Sequence, residues 1–350
     1  MALNNNEKIL YSRHLLLSEI GLEGQEKIKS AKVLIIGAGG LGCPILQYLT
    51  AAGVGTIGIV DGDTVDVTNL QRQVLFSIDD VGKSKARAAT NRMKLLNPYV
   101  KFNVIDSFLT VDNAIDLFEK YDIIVDGSDN FQTRYLCNDA AVLANKPLVF
   151  GSIFKFEGQI SVFNYNNGPT YRCLYPTPPK EGSVPSCSEI GVLGVLPGIV
   201  GCYQANEVIK VICEIGEVLS GKLLTINTLN NQNFVLSFQK NEAIKITKLI
   251  DYDFFCNVMN QANIPTIEYK ELMLLLEKNE VELIDIRTSE EREIFDIGGK
   301  HIPEKEIRNN PLLLHDKKQI VLYCQTGNRS AQLIQELNLP VKSLKGGIRQ

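Results

Sequence analysis

The sequence predicts two consecutive α/β domains: a doubly wound, Rossmann-like sheet over residues 1–257 and a smaller α/β domain over residues 258–350. Two observations support this division. Buried-strand patterns alternate with helical patterns through the first part of the chain, and a new strand and helix series begins at Pro265, after a stretch of weak periodicity. The length of 350 residues also suits about two domains of ordinary size.

The composition is that of a globular protein without a marked charge bias. Hydrophobic residues make up 45% and charged residues 22% of the chain, and the net charge is −4, so nothing indicates nucleic-acid binding. The longest apolar stretch, residues 191–203, contains Pro197 and is too short to span a bilayer, and the polar N-terminus is no signal peptide. The eight cysteines are not closely paired, which fits a reducing compartment. We therefore expect a cytoplasmic protein with no membrane partner.

The elements of the first domain follow from apolar periodicity. Residues 1–30 show an amphipathic helical pattern with apolar positions at Ile9, Leu16, Leu17, Ile20 and Leu22. Strands are then expected at residues 32–37, 56–60, 102–105, 123–125, 148–151, 158–163 and 223–227, and helices at 44–52, 83–96, 114–120 and 201–213. This alternation predicts a parallel sheet with helices on both faces. The Gly-, Pro- and Ser-rich loop at residues 168–185 is expected to be functional.

A glycine-rich turn joins the first strand to the first helix. It reads Gly37-Ala38-Gly39-Gly40-Leu41-Gly42, and Asp61 ends the next strand. Glycines let the backbone approach phosphates at a helix N-terminus, and an acid in this place can accept hydrogen bonds from a ribose. The pattern predicts a nucleotide, and taken alone it equally predicts an NAD-dependent dehydrogenase.

Charged residues further along the chain favour a triphosphate. Arg72 and Lys85 bring two cations toward the glycine turn, which is more than a pyrophosphate needs. Asp129, followed by Asn130, comes at the carboxyl end of a hydrophobic strand, where doubly wound sheets bind ligands. A carboxylate beside a polyphosphate is a natural Mg²⁺ ligand, so we expect ATP and Mg²⁺.

The second domain contains a candidate nucleophile, Cys324. It opens a short loop between an apolar strand and a helical pattern, Cys324-Gln325-Thr326-Gly327-Asn328-Arg329-Ser330. Inward backbone N–H groups, the helix dipole and the full charge of Arg329 would favour a thiolate and a persulfide on it. A sulfur carrier and a phosphatase-type cysteine would both fit such a loop.

Together these motifs resemble the MoeB/ThiF group of ubiquitin-activating-type adenylyltransferases, most specifically over residues 61–73, followed by a domain that resembles the rhodanese sulfurtransferases. Asp285-Ile286-Arg287, His301-Ile302-Pro303 and residues 344–348 support the second part. The resemblance implies ATP-dependent adenylation of the C-terminal Gly-Gly carboxylate of a ubiquitin-like sulfur-carrier protein, as in molybdopterin and other thiocarboxylate-forming pathways. Sulfur from a cysteine persulfide, supplied by a cysteine desulfurase or thiosulfate, would then give a thiocarboxylate.

The resemblance also implies roles for individual residues. ATP would contact Gly37, Gly39, Gly40, Gly42, Asp61, Asn69, Arg72, Gln73, Lys85, Asp129 and Asn130, with Asp129 also holding the metal. The catalytic set would be Arg13, Arg72, Asp129, Cys187, Cys324 and Arg329. Arg13 would reach the ATP site of a neighbouring protomer, which implies a homodimer. Cys187 resembles an adenylation-domain thiol, although a small buried side chain is the alternative.

Structural zinc is not expected. Relatives that bind zinc carry two Cys-x-x-Cys pairs, whereas this chain has Thr170-Tyr171-Arg172-Cys173 and Cys256-Asn257-Val258-Met259. Thr and Met are poor zinc ligands, so only Cys173 and Cys256 remain.

Two rival functions come from other classes of protein. An NAD-dependent oxidoreductase with a redox-sensing, rhodanese-like tail would contain bound nicotinamide. A non-catalytic scaffold that presents a persulfide would show no turnover.

Overall fold

The computed structural model describes residues 1–179, 191–256, 264–314 and 319–348. The chain divides into two compact units, residues 1–257 and residues 258–350. No helix within the described ranges is long and apolar enough to cross a bilayer.

One eight-stranded sheet forms the centre of the first unit. Its strands are β1 (Lys32–Ile36), β2 (Thr56–Val60), β3 (Lys101–Ile105), β4 (Ile123–Asp126), β5 (Leu148–Phe154), β6 (Glu157–Phe163), β7 (Lys222–Asn227) and β8 (Gln232–Ser237). They lie in the order β3-β2-β1-β4-β5-β6-β7-β8. The strand order reverses between β1 and β4, and ligands of doubly wound sheets bind at such a reversal, outside the carboxyl ends of the strands.

Helices of very different length surround this sheet. They are α1 (Asn5–Leu10), α2 (Ser12–Leu15), α3 (Gly21–Ser30), α4 (Gly42–Ala52), α5 (Lys85–Leu96), α6 (Ala114–Phe118), α7 (Phe131–Leu143), α8 (Tyr171–Leu174), α9 (Val195–Cys213) and α10 (Tyr252–Phe255). The two faces of the sheet have separate hydrophobic cores. Val33 and Ile35 of β1 belong to the core with α4 and α9, whereas Leu34 and Ile36 belong to the core with α7. A strand buried on both faces is therefore continuously apolar.

The expected parallel sheet is correct for β1 to β5 and wrong beyond them. From β5 to β8 the strands pair antiparallel. Only two residues separate β5 from β6, a connection that can join antiparallel but not parallel neighbours. Helix α7 and strand β8 are also absent from the elements expected above. All six residues of β8 are exposed, so it has no alternation of buried and exposed positions to detect.

The helix expected over residues 201–213 begins earlier, at Val195. Pro197 lies in its first turn, where a missing backbone N–H costs little because that N–H has no partner within the helix. At the N-terminus, the apolar positions are mostly at the surface. Ile9 and Leu16 are 74% and 75% exposed, whereas Ile20 is buried. This unit therefore presents an apolar N-terminal surface to solvent.

The second unit contains a five-stranded parallel sheet in the order β11-β10-β12-β13-β9. Its strands are β9 (Thr266–Ile267), β10 (Val281–Asp285), β11 (Lys300–His301), β12 (Gln319–Tyr323) and β13 (Lys342–Leu344). Its helices are α11 (Tyr269–Glu277), α12 (Ser289–Ile294), α13 (Glu304–Asn309) and α14 (Asn328–Glu336). Cys324 directly follows the central strand β12, and α14 begins four residues later.

Candidate functional site

The glycine turn, residues 37–42, runs from β1 into α4. Gly37 has a φ of +93°, and a Cβ at Gly37 would lie 2.9 Å from the carbonyl oxygen of Gly127. A Cβ at Gly42 would lie 2.1 Å from the carbonyl oxygen of Gly37. These two positions require glycine because any side chain would clash with a backbone carbonyl group, either within the turn or directly after β4.

Asp61 braces this turn from the end of β2. It is buried, and its carboxylate accepts hydrogen bonds from the backbone N–H of Ala38 at 2.7 Å and of Asp63 at 2.8 Å. Burial raises the pKa of Asp61, and these two N–H groups act in the opposite direction. The acid expected to contact a ribose therefore also fixes the backbone expected to contact phosphate.

Two of the predicted nucleotide-binding side chains lie close to the turn. A Cβ at Gly39 would lie 3.7 Å from Nε2 of Gln73, and a Cβ at Gly40 would lie 3.7 Å from Cγ of Arg72. Gln73 is buried, and its Oε1 has no hydrogen-bond partner among the residues that the structure describes. A buried amide oxygen without a partner is costly, which favours a ligand contact there.

Other side chains predicted to bind the nucleotide already form bonds with neighbouring groups of the protein. Lys85, at the start of α5, is nearly buried, and its Nζ lies 3.0 Å from Asp63. The guanidinium of Arg72 donates to the carbonyl oxygen of Thr68 at 3.1 Å. The side-chain oxygen of Asn69 accepts from the backbone N–H of Asp66 at 3.3 Å. Nothing in the sequence pairs Asp63 with Lys85, although both residues lie in the segments that resemble the family.

Asp129 and Asn130 follow β4, at the point where the strand order reverses. Both are exposed, and Asn130 caps α7 by accepting from the backbone N–H of Thr133 at 2.8 Å. They line a cavity of about 600 Å³ together with Ser128, Arg134, Tyr135, Phe150, Gln159, Tyr171 and Tyr175, among others. A cavity lined by several aromatic rings, with an exposed carboxylate at its wall, is a suitable site for an organic substrate.

Asp126 and Arg134 lie deeper beside this cavity, and neither is among the site residues that the sequence predicts. Asp126 is fully buried, its pKa is raised by burial, and one oxygen accepts from the hydroxyl of Ser128 at 2.6 Å. Its other oxygen is 3.9 Å from Nε of Arg134, which is too far for a hydrogen bond. The Arg134 guanidinium also lies 5.2 Å from the ring centre of Phe150. The cavity therefore has a buried cation in its wall.

The structure places one of the two remaining catalytic candidates of the first unit. Arg13 is exposed on α2. Cys187 lies outside the described residues, as does Met259 of the degenerate zinc motif.

The Sγ of Cys173 lies among hydrogen-bond donors. It is 3.4 Å from the backbone N–H groups of both Thr170 and Asn241. No group of three or more His, Cys, Asp or Glu side chains in the described part of the chain is arranged to hold a metal ion. The residues of this site that the structure describes do not fit a four-thiolate zinc centre.

An arginine connects α7, α8 and α10 beside this cysteine. Arg172 makes two hydrogen bonds to Asp139, both 2.7 Å long. Its guanidinium lies against the rings of Tyr135 and Phe255, 5.0 and 4.6 Å from their centres. Asp139 also accepts from the hydroxyl of Tyr252 at 2.8 Å. Charge-assisted hydrogen bonds and ring contacts therefore join these three helices.

In the second unit, Cys324 is completely buried at the end of β12. Its sulfur accepts from the backbone N–H of Gly327 at 3.2 Å, and the hydroxyl of Ser330 lies 3.7 Å away. A Cβ at Gly347 would lie 2.5 Å from the carbonyl oxygen of Cys324. The loop of residues 324–330, called the Cys324 loop below, is thus packed tightly against the end of the described chain.

The charge around this loop differs from the expectation. Arg329 pairs with Glu291 through both guanidinium NH2 groups, one of them 3.0 Å from a carboxylate oxygen. Arg287 pairs with Asp285 at 2.8 Å and lies 3.4 Å from the side-chain oxygen of Gln325. Arg329 therefore does not add an uncompensated positive charge, because Glu291 neutralises it. The spacing of Thr288 and Glu291 in the sequence is typical of a helix cap, and the structure contains this cap. The same spacing gives no sign that Glu291 also pairs with Arg329.

Family models match both units. The ThiF family model matches residues 11–247, and the rhodanese-like domain model matches residues 268–350. These matches confirm the family resemblance and the predicted fold class.

Curated relatives cover most or nearly all of the chain. A probable adenylyltransferase/sulfurtransferase MoeZ of Mycobacterium tuberculosis is 46% identical over 348 residues, which cover 95% of this chain and 88% of that protein. A sulfur carrier protein adenylyltransferase of Thermus thermophilus is 48% identical over 260 residues, 71% of this chain and 96% of that protein. An adenylyltransferase and sulfurtransferase MOCS3 of Anopheles gambiae is 40% identical and covers 99% of this chain and 87% of that protein.

Among solved structures, E. coli MccB with ATP has a TM-score of 0.58 and 26% identity, covering 69% of this chain and 74% of that chain. This likeness agrees with the fold of the first unit. The chain belongs to the ThiF family and carries a C-terminal rhodanese-like domain.

Proposed function

We propose that this chain is an ATP-dependent adenylyltransferase joined to a sulfurtransferase. Its substrate is a ubiquitin-like sulfur-carrier protein whose C-terminal Gly-Gly carboxylate becomes a thiocarboxylate. The observation that carries the proposal is the placement of the glycine turn and Asp129 at the strand-order reversal, in a chain that also presents the Cys324 loop. The names of the Mycobacterium and Thermus relatives support it. We also propose that the protein acts in the cytoplasm.

The first step is transfer of an adenylyl group. A carboxylate oxygen of the carrier attacks the α-phosphorus of ATP, the bond to the β-phosphate oxygen breaks, and pyrophosphate leaves. Arg72 and Lys85 would offset charge on the phosphates, and Lys85 would first exchange its contact with Asp63 for the nucleotide. Asp129 is an exposed oxygen ligand that would hold Mg²⁺, and the ion would neutralise phosphate charge.

The second step is transfer of sulfur. The outer sulfur of a persulfide on Cys324 attacks the acyl-adenylate, so that a carbon–sulfur bond forms and AMP leaves. A second thiol, which we propose to be Cys187, then attacks the inner sulfur at Cys324. The thiocarboxylate leaves with the bonding electron pair, a disulfide remains, and an external thiol must reduce it before the next turnover.

Exchange of labelled pyrophosphate into ATP tests the first step. We expect exchange with a carrier that ends in Gly-Gly and none when its C-terminal carboxylate is amidated. Nicotinamide bound to the purified protein, without any exchange, would instead support an NAD-dependent oxidoreductase. A protein that carries a persulfide but shows neither pyrophosphate exchange nor sulfur transfer would support the non-catalytic scaffold.

We expect Arg13 to act in the ATP site of a partner protomer. The exposed apolar side chains near the N-terminus, such as Ile9 and Leu16, support a homodimer. Chains with Arg13→Ala and chains with Asp129→Ala should each be inactive in exchange. When mixed they should regain activity, because one site of the heterodimer then has both groups.

Subunit exchange between the two variants must be demonstrated, for example with two affinity tags. Lys8→Ala is the matched control, since it removes an exposed cation from the neighbouring helix α1, and it should retain activity. Mixed dimers that remain inactive would show that Arg13 does not act across the interface.

The protein should not depend on zinc. Protein purified without added zinc should contain much less than one zinc per chain. A chelator should leave its melting temperature unchanged, because hydrogen bonds between Arg172 and Asp139 join helices α8 and α7. Metal analysis and thermal unfolding check this expectation. Stoichiometric zinc that resists the chelator would mean that other residues complete the site.

A further inference from the structure

The surroundings of Cys324 are unusual for a site that would accept a small anion. Two guanidinium groups lie beside the Cys324 loop, those of Arg287 and Arg329. Each is matched by a carboxylate, Asp285 for Arg287 and Glu291 for Arg329. Within the described ranges, these two pairs cancel in charge, so the loop offers mainly backbone N–H groups such as that of Gly327.

The Arg329–Glu291 pair is held in place from the carboxylate side. Glu291 is the third residue of α12, and its Oε2 accepts from the backbone N–H of Thr288 at 2.9 Å as well as from Arg329 at 3.0 Å. Both side chains are 22% exposed. Although burial alone would raise the pKa of Glu291, its hydrogen bonds to Arg329 and Thr288 lower it. The carboxylate is therefore ionised at neutral pH.

We propose that Glu291 determines which sulfur donor Cys324 uses: by neutralising Arg329, it disfavours small dianionic donors such as thiosulfate and favours a persulfide carried on a protein. This inference rests on the proposed role of Cys324 in sulfur transfer. The Arg287–Asp285 pair is completely buried, so it supports the loop and is not available to a donor.

The leaving groups explain the preference. With thiosulfate, the Cys324 thiolate bonds to the outer sulfur, the sulfur–sulfur bond of thiosulfate breaks, and sulfite leaves with the electron pair and two negative charges. With a protein persulfide, the thiolate that leaves has one negative charge and remains on the donor protein. A doubly charged leaving group such as sulfite is stabilised by a nearby cation. The charge of Arg329 is already neutralised by its ion pair with Glu291.

Glu291→Gln tests this directly, because glutamine can still accept the capping hydrogen bond from Thr288. Glu293→Gln is the matched control, since it removes the same charge from an exposed position in the same helix. Sulfur transfer to cyanide would be measured for the full chain with thiosulfate and with a persulfide-loaded cysteine desulfurase. We expect Glu291→Gln to raise kcat/KM for thiosulfate about tenfold, because the charge of Arg329 is then no longer neutralised by Glu291. The reaction with the persulfide donor should be nearly unchanged.

Glu291→Asp provides a second variant, which retains the negative charge and should keep kcat/KM for thiosulfate low. Equal kcat/KM values for thiosulfate in the wild type, Glu291→Gln and Glu293→Gln would overturn the proposal. An equal rise with both donors would also overturn it, because Glu291 would then control access to the thiol. Absence of transfer from either donor in every variant would overturn the proposed function of Cys324 together with this inference.

Discussion

Asp129→Ala should abolish ATP/pyrophosphate exchange while leaving the protein folded. Asp129 is exposed after β4 and makes part of the cavity wall, so its removal costs little packing. It is the residue we expect to hold Mg²⁺ beside the reacting phosphate. Loss of one preorganised group that stabilises charge in a transition state typically lowers kcat about a hundredfold to a thousandfold.

Asp116→Ala is a suitable control for this prediction, because Asp116 is an exposed acid on α6 in the same unit. The two variants should have similar melting temperatures, and the control should exchange at the wild-type rate. Full exchange by Asp129→Ala would remove the adenylation assignment. A conservative Asp129→Asn variant should also be nearly inactive, since a neutral amide is a weaker Mg²⁺ ligand than a carboxylate.

Cys324→Ser should eliminate sulfur transfer from both thiosulfate and a persulfide donor, and it should leave ATP/pyrophosphate exchange intact. A serine hydroxyl can still accept from the backbone N–H of Gly327, but it cannot form a persulfide. Exchange should be unaffected because the glycine turn and Asp129 belong to the other compact unit.

Cys202→Ser is the matched control, since Cys202 is a partly exposed thiol on α9 of the first unit. It should retain both activities. Loss of exchange in a folded Cys324→Ser protein would show that the two functions are not separable by domain.

The features that local sequence determines could be predicted. The apolar strand β1, the glycines at 37 and 42 and the acid at 61 lie within one short βαβ unit, so their spacing alone indicates a nucleotide site. The position of Cys324 between strand and helix could be predicted for the same reason.

Contacts between distant positions could not be predicted in this way. Lys85 and Asp63 are 22 residues apart, and Arg329 and Glu291 are 38 residues apart. The sequence does not show which oppositely charged side chain lies beside a given residue in the fold. From the sequence alone, Arg329 is therefore expected to contribute its full charge. The burial of Arg134 against Phe150 likewise depends on how β5 and α7 pack. Register and packing, which periodicity does not specify, decide which charges are neutralised.

The central claim is that this chain converts a carrier carboxylate into a thiocarboxylate. Mass spectrometry of a Gly-Gly-tailed carrier tests it most directly, after incubation with the full chain, ATP, Mg²⁺, a thiol reductant and a persulfide donor. We predict a product in which one C-terminal oxygen is replaced by sulfur, formed only when ATP is present and Cys324 is intact. A carrier that is adenylated but never acquires sulfur, or one that acquires sulfur without ATP, would contradict the claim.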